Sequence, residues 1–207
     1  MKLHKRINRL LSLLLTLCCA AMLGSCKVTE TTTTSSVPGK NTIQPAVLTQ
    51  AESDLLTLVD AQQPLLFDFS VEGASGYQVE IFTLQDGAWQ PSGGSSSSID
   101  ESNLRGRIAL TFGEDGRFAG AAFQNENGVS RISQDPETSA FVSHASTTIA
   151  DPIEIVPDEP IALWAYYGER EAAASTIAYF PDHALQNPQQ IQSDFAQLIT
   201  ITFSVAG

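Results

Sequence analysis

From residue 46 onward the chain repeatedly alternates apolar and polar residues with period two, and that alternation confines it to sheets. The clearest run is the last, where Ile199, Ile201, Phe203 and Val205 alternate with Thr200, Thr202 and Ser204. Successive side chains of an extended backbone point to opposite faces, so such a run makes one dry face and one wet one. Leu65, Phe67, Phe69 and Val71 do the same against Leu66, Asp68, Ser70 and Glu72. Tyr77, Val79 and Ile81 oppose Gln78 and Glu80, and Ile108, Leu110 and Phe112 continue the pattern. Asp86-Gly87 and Asn127-Gly128 read as tight hairpin turns, because both positions tolerate positive φ. Gly113 to Gly116 closes a further turn, and the returning strand carries Phe118 or Phe123 on its buried side.

Other segments are read by their breakers. Residues 52–59 fit a short helix capped by Thr49 or Ser53, or a strand; Pro64, only a few residues on, favours the strand. Pro91 to Ser98 is low in complexity and reads as an exposed loop after a short third strand, Ala88 to Gln90. Ala140 to Ile149 is rich in β-branched residues, and Asp151 to Pro160, with its prolines and acids, is an exposed connection or sheet edge. Ile161 to Tyr167 and Ala172 to Phe180 pair as a hairpin around Gly168-Glu169-Arg170, and Pro188 to Ile191 makes a helical turn. Nine to eleven short strands with almost no helix imply an all-β domain. The expected architecture is a two-layer antiparallel β-sandwich, jelly-roll-like or immunoglobulin-like.

The N-terminus carries a different signal. Lys2, Lys5, Arg6 and Arg9 precede an apolar run from Leu10 to Leu23, then Gly24, Ser25 and Cys26. The run is too short to cross a bilayer as a mature helix but has the length of a signal-peptide core. Leu23-Gly24-Ser25-Cys26 resembles the lipobox of bacterial lipoproteins. The resemblance implies cleavage between Ser25 and Cys26 and a diacylglyceryl group on the Cys26 sulfur. A thiolate suits that role because it is a strong nucleophile without a base beside it. It also implies palmitate-type acyl chains that hold the protein on the extracytoplasmic face of a cell membrane, at the cell surface or in the periplasm according to the envelope. Two chains anchor stably where one is marginal.

Charge then bears on partners. All 23 acidic residues lie beyond Cys26, while only seven of the 11 basic ones do, a formal net of −16 for the processed chain. No cluster of Lys and Arg exists to neutralise phosphates, so nucleic acid is excluded as a partner. Cys18 and Cys19 would leave with the signal, so the domain is expected to fold without disulfides. The Thr- and Ser-rich stretch after Cys26 lacks apolar periodicity. The organisation expected is a signal at residues 1–25, a lipidated cysteine and flexible linker at 26–45, and one sandwich at 46–207. As a coil, the linker would hold the domain roughly 20 to 25 Å from the lipid.

Chemistry is sparsely signalled. Two histidines lie beyond the signal, His144 and His183, and Ser143 or Ser175 could be drawn into a triad with either, but no nucleophile elbow accompanies them. No spacing suits zinc. Glu114, Asp115, Asp151, Glu154, Asp158 and Glu159 are oxygen donors in loops without a calcium-loop pattern, so no metal or other cofactor is expected. Trp164 and Tyr166 share one face of their strand and, with Trp89 near a turn, are the candidate ligand platform; core packing is the competing role for the same rings. The function expected is a non-catalytic binding or adhesion module for a glycan, a cell-wall polymer or an envelope protein. The alternative is an extracytoplasmic carboxylate-dependent hydrolase.

Overall fold

The computed structural model describes residues 38–58, 64–98, 103–126, 128–134, 141–171 and 176–205. The lipobox, the signal segment, Ser175 and the Asp135-Pro136-Glu137 break lie outside them. The described chain is mostly strand and forms two antiparallel sheets packed as a sandwich.

The first sheet holds β1 (Thr42–Pro45), β2 (Leu65–Glu72), β5 (Asn103–Phe112), β6 (Phe118–Asn125), β7 (Gly128–Ser133) and β9 (Ile153–Glu154). Their order is β7-β6-β5-β2-β1-β9. The second holds β3 (Ala74–Gln85), β4 (Ala88–Ser98), β8 (Ser143–Thr148), β10 (Ile161–Glu169) and β11 (Phe195–Val205), in the order β4-β3-β11-β10-β8. Gly73, at φ 70°, is the whole connection by which the chain leaves β2 for the opposite sheet at β3. Asp86 and Gly87, at φ 50° and 73°, make the expected two-residue hairpin.

Between the sheets lies the core. Phe67, Phe69 and Val71 of β2, Ile108 and Leu110 of β5, Val79 and Ile81 of β3, and Ile199, Ile201 and Phe203 of β11 all meet there. These are the inward phases of the alternating runs. Gly106 of β5 is fixed by packing: a Cβ at this position would land on the Gln124 carbonyl oxygen and 2.8 Å from Phe69 Cζ. Both Phe118 and Phe123 are buried, although their spacing puts them on opposite faces of a regular strand. A bulge in the β5–β6 pairing, between Thr111 and Phe112, shifts the phase.

Five expectations are corrected. Thr42–Pro45, assigned to the linker, is strand β1, and its Ile43 is fully buried against the core. The sandwich therefore begins by residue 42 rather than 46. Residues 50–58 form helix α1 (Gln50–Leu58), not a strand. The cause is a capping box: Glu52 Oε2 accepts from the Thr49 amide at 2.7 Å and the Thr49 hydroxyl at 2.8 Å, and the Glu52 amide donates to Thr49 Oγ1. Pro91 to Ser98 is the outer part of β4 and not a loop, since β3 offers a backbone ladder along its whole length.

The β10 hairpin partner is also different. β10 pairs with β11 and β8, while residues 176–180 run without strand structure into helix α2 (Pro181–Gln186). That segment lies over the outer face of the second sheet, where the Tyr179 carbonyl accepts from Thr147 Oγ1 at 2.6 Å and from the Tyr167 hydroxyl at 2.9 Å. Beneath it, Ala162, Ala165, Tyr167, Ala184, Ile191, Ala196 and Leu198 form a second, smaller apolar cluster. Pro188–Gln190 is the expected helical turn, of 3-10 type. Lastly, the outward face of β2 is not simply wet: Asp68 and Ser70 are buried under neighbouring side chains.

Candidate functional site: a groove beneath helix α1

The structure buries two of the three rings considered for an aromatic platform. Trp164 and Tyr166 are 2% and 0% exposed, packed with Phe112 at 4.9 Å and Phe195 at 6.1 Å between ring centroids. A bulge between Ala162 and Trp164 turns both Leu163 and Trp164 inward, and β10 is covered on its other face by the smaller cluster. Trp89 is half-buried, packs against that cluster and donates from Nε1 to the Ala184 carbonyl at 2.8 Å. All three aromatics hold the fold together.

Among the described residues, neither histidine is joined to a serine. Ser143 Oγ pairs with Thr176 Oγ1 at 3.0 Å, whereas exposed His144, its strand neighbour, stacks on Tyr166 at 5.7 Å. His183 stacks on Tyr179 at 5.1 Å and lies 3.2 Å from Gln190 Oε1. Among the described residues no three His, Cys, Asp or Glu side chains gather as metal ligands. Asp115 instead binds Arg117, whose Nε donates to Oδ2 at 2.6 Å. Burial alone would raise the Asp115 carboxyl, but the Arg117 bonds outweigh it and hold it below the usual range. No described helix is long and apolar enough to cross a membrane.

What the fold builds instead is a groove of about 290 Å³ on the outer face of the first sheet. Leu48, Leu55 and Leu56 come from α1 and the chain before it, Leu66 from β2, Ala109 from β5, Ala122 from β6 and Val129 from β7. Cross-strand register explains the floor: Leu66 faces Ala109, Ala109 faces Ala122, and Ala122 faces Arg131. Leu55 and Val129 remain 60% and 56% exposed, and Leu58 at the end of α1 is 82% exposed. The groove is therefore apolar and open.

Its polar end is built around Arg107. Nε and Nη2 donate to Asp68 Oδ1 and Oδ2 at 2.6 and 3.1 Å, and Nη1 donates to Glu52 Oε1 at 2.7 Å. The hydrogen bonds it donates to Asp68, and then to Glu52, raise the guanidinium pKa against the opposing effect of burial. The Thr49 amide, then Arg107 and the Thr49 hydroxyl, hold the Glu52 carboxyl down to about 2. Glu52 is thus a fixed anion, unsuited to delivering a proton near neutrality. Gln124 and Arg131 complete the lining.

A second hollow, of about 310 Å³, is lined by Ile149, Ile153 and Phe180 with Asp151 and Asp182. No family model, curated protein or solved structure matches the chain.

None of the groove residues belonged to the expected site, yet two signals were present in the sequence. Thr49-x-x-Glu52 is a capping-box spacing, and Leu66, Ala109 and Ala122 are apolar residues on the phase that should be wet. Together they mark an outer sheet face that a helix partly covers.

Proposed function

We propose that this protein is a lipid-anchored lipoprotein of the cell envelope whose sandwich is a non-catalytic binding module. The ligand is an apolar segment of another envelope protein, seated in the groove beneath α1. The groove carries this reading: an open trough floored by leucine and alanine, with polar groups at one end, suits an amphipathic chain better than a sugar ring. Burial of Trp164, Tyr166 and much of Trp89 removes the rings that would have favoured a glycan. The lipobox-like Leu23-Gly24-Ser25-Cys26 supports the anchor, and the acidic balance supports a domain that stands away from anionic lipid. On this reading the protein faces the cell surface or the periplasm, and the membrane is a partner only through Cys26.

Two measurements test it. Mass spectrometry of the protein purified from cells should show a chain beginning at Cys26 and carrying fatty acid; a chain that keeps Met1 refutes the anchor. A photo-reactive residue at Leu55 should give a discrete adduct with one envelope protein in intact cells, lost in a Leu66→Asp background. The absence of any protein adduct refutes the groove as the binding site. Carboxylate-dependent hydrolysis is the second reading, favoured only by Asp151 and Asp182 in one hollow. It requires that Asp151→Asn abolish an activity while leaving the Leu55 adduct intact.

A further inference from the structure

We infer that the free edge of β4 is a self-association surface, on which a second copy of this chain adds its own β4 antiparallel to the first. A strand at the edge of a sheet presents unpaired amides and carbonyls, and proteins ordinarily blunt such edges with charges, proline, bulges, short length or cover. Among the described residues the two sheets have four edges, and three of them are blunted in these ways. β9 is two residues long. β7 is six residues long and carries Arg131. β8 is also six residues long, and its Ser143 and Thr147 side chains bond to the segment that lies over the sheet.

β4 differs. It runs for 11 residues at the end of the second sheet, and among the described residues no strand pairs with its outer side. Trp89, bonded to the Ala184 carbonyl, ties the first part of β4 to α2. From Gly93 to Ser98 the strand is almost wholly exposed, and its side chains are only glycine and serine. A bulge and Pro91 lie at the start of this stretch, and no blunting device lies within it.

Charge selects the occupant. Between Asp86 and Asp100 the sequence has no Asp, Glu, Lys or Arg, in a chain whose residues beyond Cys26 are otherwise strongly acidic. Two copies meeting almost anywhere else would oppose like charges, but at β4 they would not. Pairing of a strand with itself about a twofold axis is isologous and closes, so it stops at a dimer. It would join two five-stranded sheets into one of ten, and the small side chains let serine rows approach and exchange hydrogen bonds across the seam. The contact is short, hence weak, and gains most where both copies are tethered to one membrane.

Sedimentation of the full chain in mild detergent tests this, beside a photo-reactive residue at Ser96 in intact cells. The expected result is a concentration-dependent dimer and a chain-to-chain adduct from Ser96, with none from Val129 on β7. Ser96 and Ser98 are exposed, so the pair Ser96→Lys and Ser98→Lys leaves the melting temperature unchanged while abolishing the dimer by like-charge opposition. A chain that stays monomeric at all concentrations, a dimer that survives both lysines, or Ser96 adducts only to other proteins each overturn the proposal. None of these outcomes depends on the Leu55 adduct, so this surface and the groove stand or fall separately.

Discussion

Arg107 on β5 and Glu52 on α1, 55 residues apart in sequence, are joined by a hydrogen bond of 2.7 Å from Nη1 to Oε1. The same guanidinium grips Asp68 on β2 through two further nitrogens, so one side chain fastens the helix to the sheet and sets the end of the groove. Without it α1 has no buried residue of its own to hold it in place.

This arrangement predicts an acid-sensitive helix. The Glu52 carboxyl is depressed from 4.5 to about 2, so its contribution to stability is present above pH 4.5 and is lost as the pH falls towards 2. The melting temperature should decline through that window, and Glu52→Gln should flatten the decline. Arg107→Ala, which leaves buried Asp68 without its cation, should cost roughly 2 kcal/mol at neutral pH. Thermal melts of the three proteins from pH 2 to 7, with denaturant melts at neutral pH, check both statements.

Trp164→Ala should act on folding and not on ligand. Its ring is buried in the main core beside Phe112 and Tyr166, and removing a side chain of that size costs roughly 3 to 5 kcal/mol. Leu55→Ser, at an exposed wall of the groove, should leave stability within about 0.5 kcal/mol of the parent while weakening binding. Chemical denaturation separates the two; equal stability losses would contradict the assignment of Leu55 to a surface site.

Tyr166 and Tyr167 should titrate late. Burial first, and then the nearby Asp115 charge, pushes the Tyr166 hydroxyl up to about 12. Burial likewise lifts Tyr167 to about 12, against the hydrogen bond that its hydroxyl donates to the Tyr179 carbonyl. Because the folded values are raised, the stability they confer is intact below pH 10 and disappears as the pH climbs through 12. Ultraviolet titration of phenolate should show this late step, reduced by half in either Tyr166→Phe or Tyr167→Phe and absent from the double variant.

The sheets were legible in the sequence because alternation is a local signal. Each inward set, such as Phe67, Phe69 and Val71, announces its face without reference to any partner. The hairpin at Asp86-Gly87 was legible for the same reason. Helix α1 was not legible although its capping box was present, because nine residues without a buried face give a weak period and Pro64 follows only a few residues later. The outer part of β4, Pro91 to Ser98, was not legible because glycine and serine have little strand propensity of their own, and only the ladder with β3 makes that stretch a strand.

The sequence by itself determined a two-sheet sandwich and a strongly acidic composition, since periodicity and charge are read from the residues one after another. Tertiary structure alone decided that Trp164 and Tyr166 are core and that the groove exists. A bulge in β10 and a chain segment laid over the second sheet close both faces of the strand that looked half open. The groove needs Leu66, Ala109 and Ala122 side by side on three strands, and Arg107 reaching a helix 55 residues away. Such contacts are fixed by register and by charges that meet only after the chain has folded, and no local window of sequence contains them.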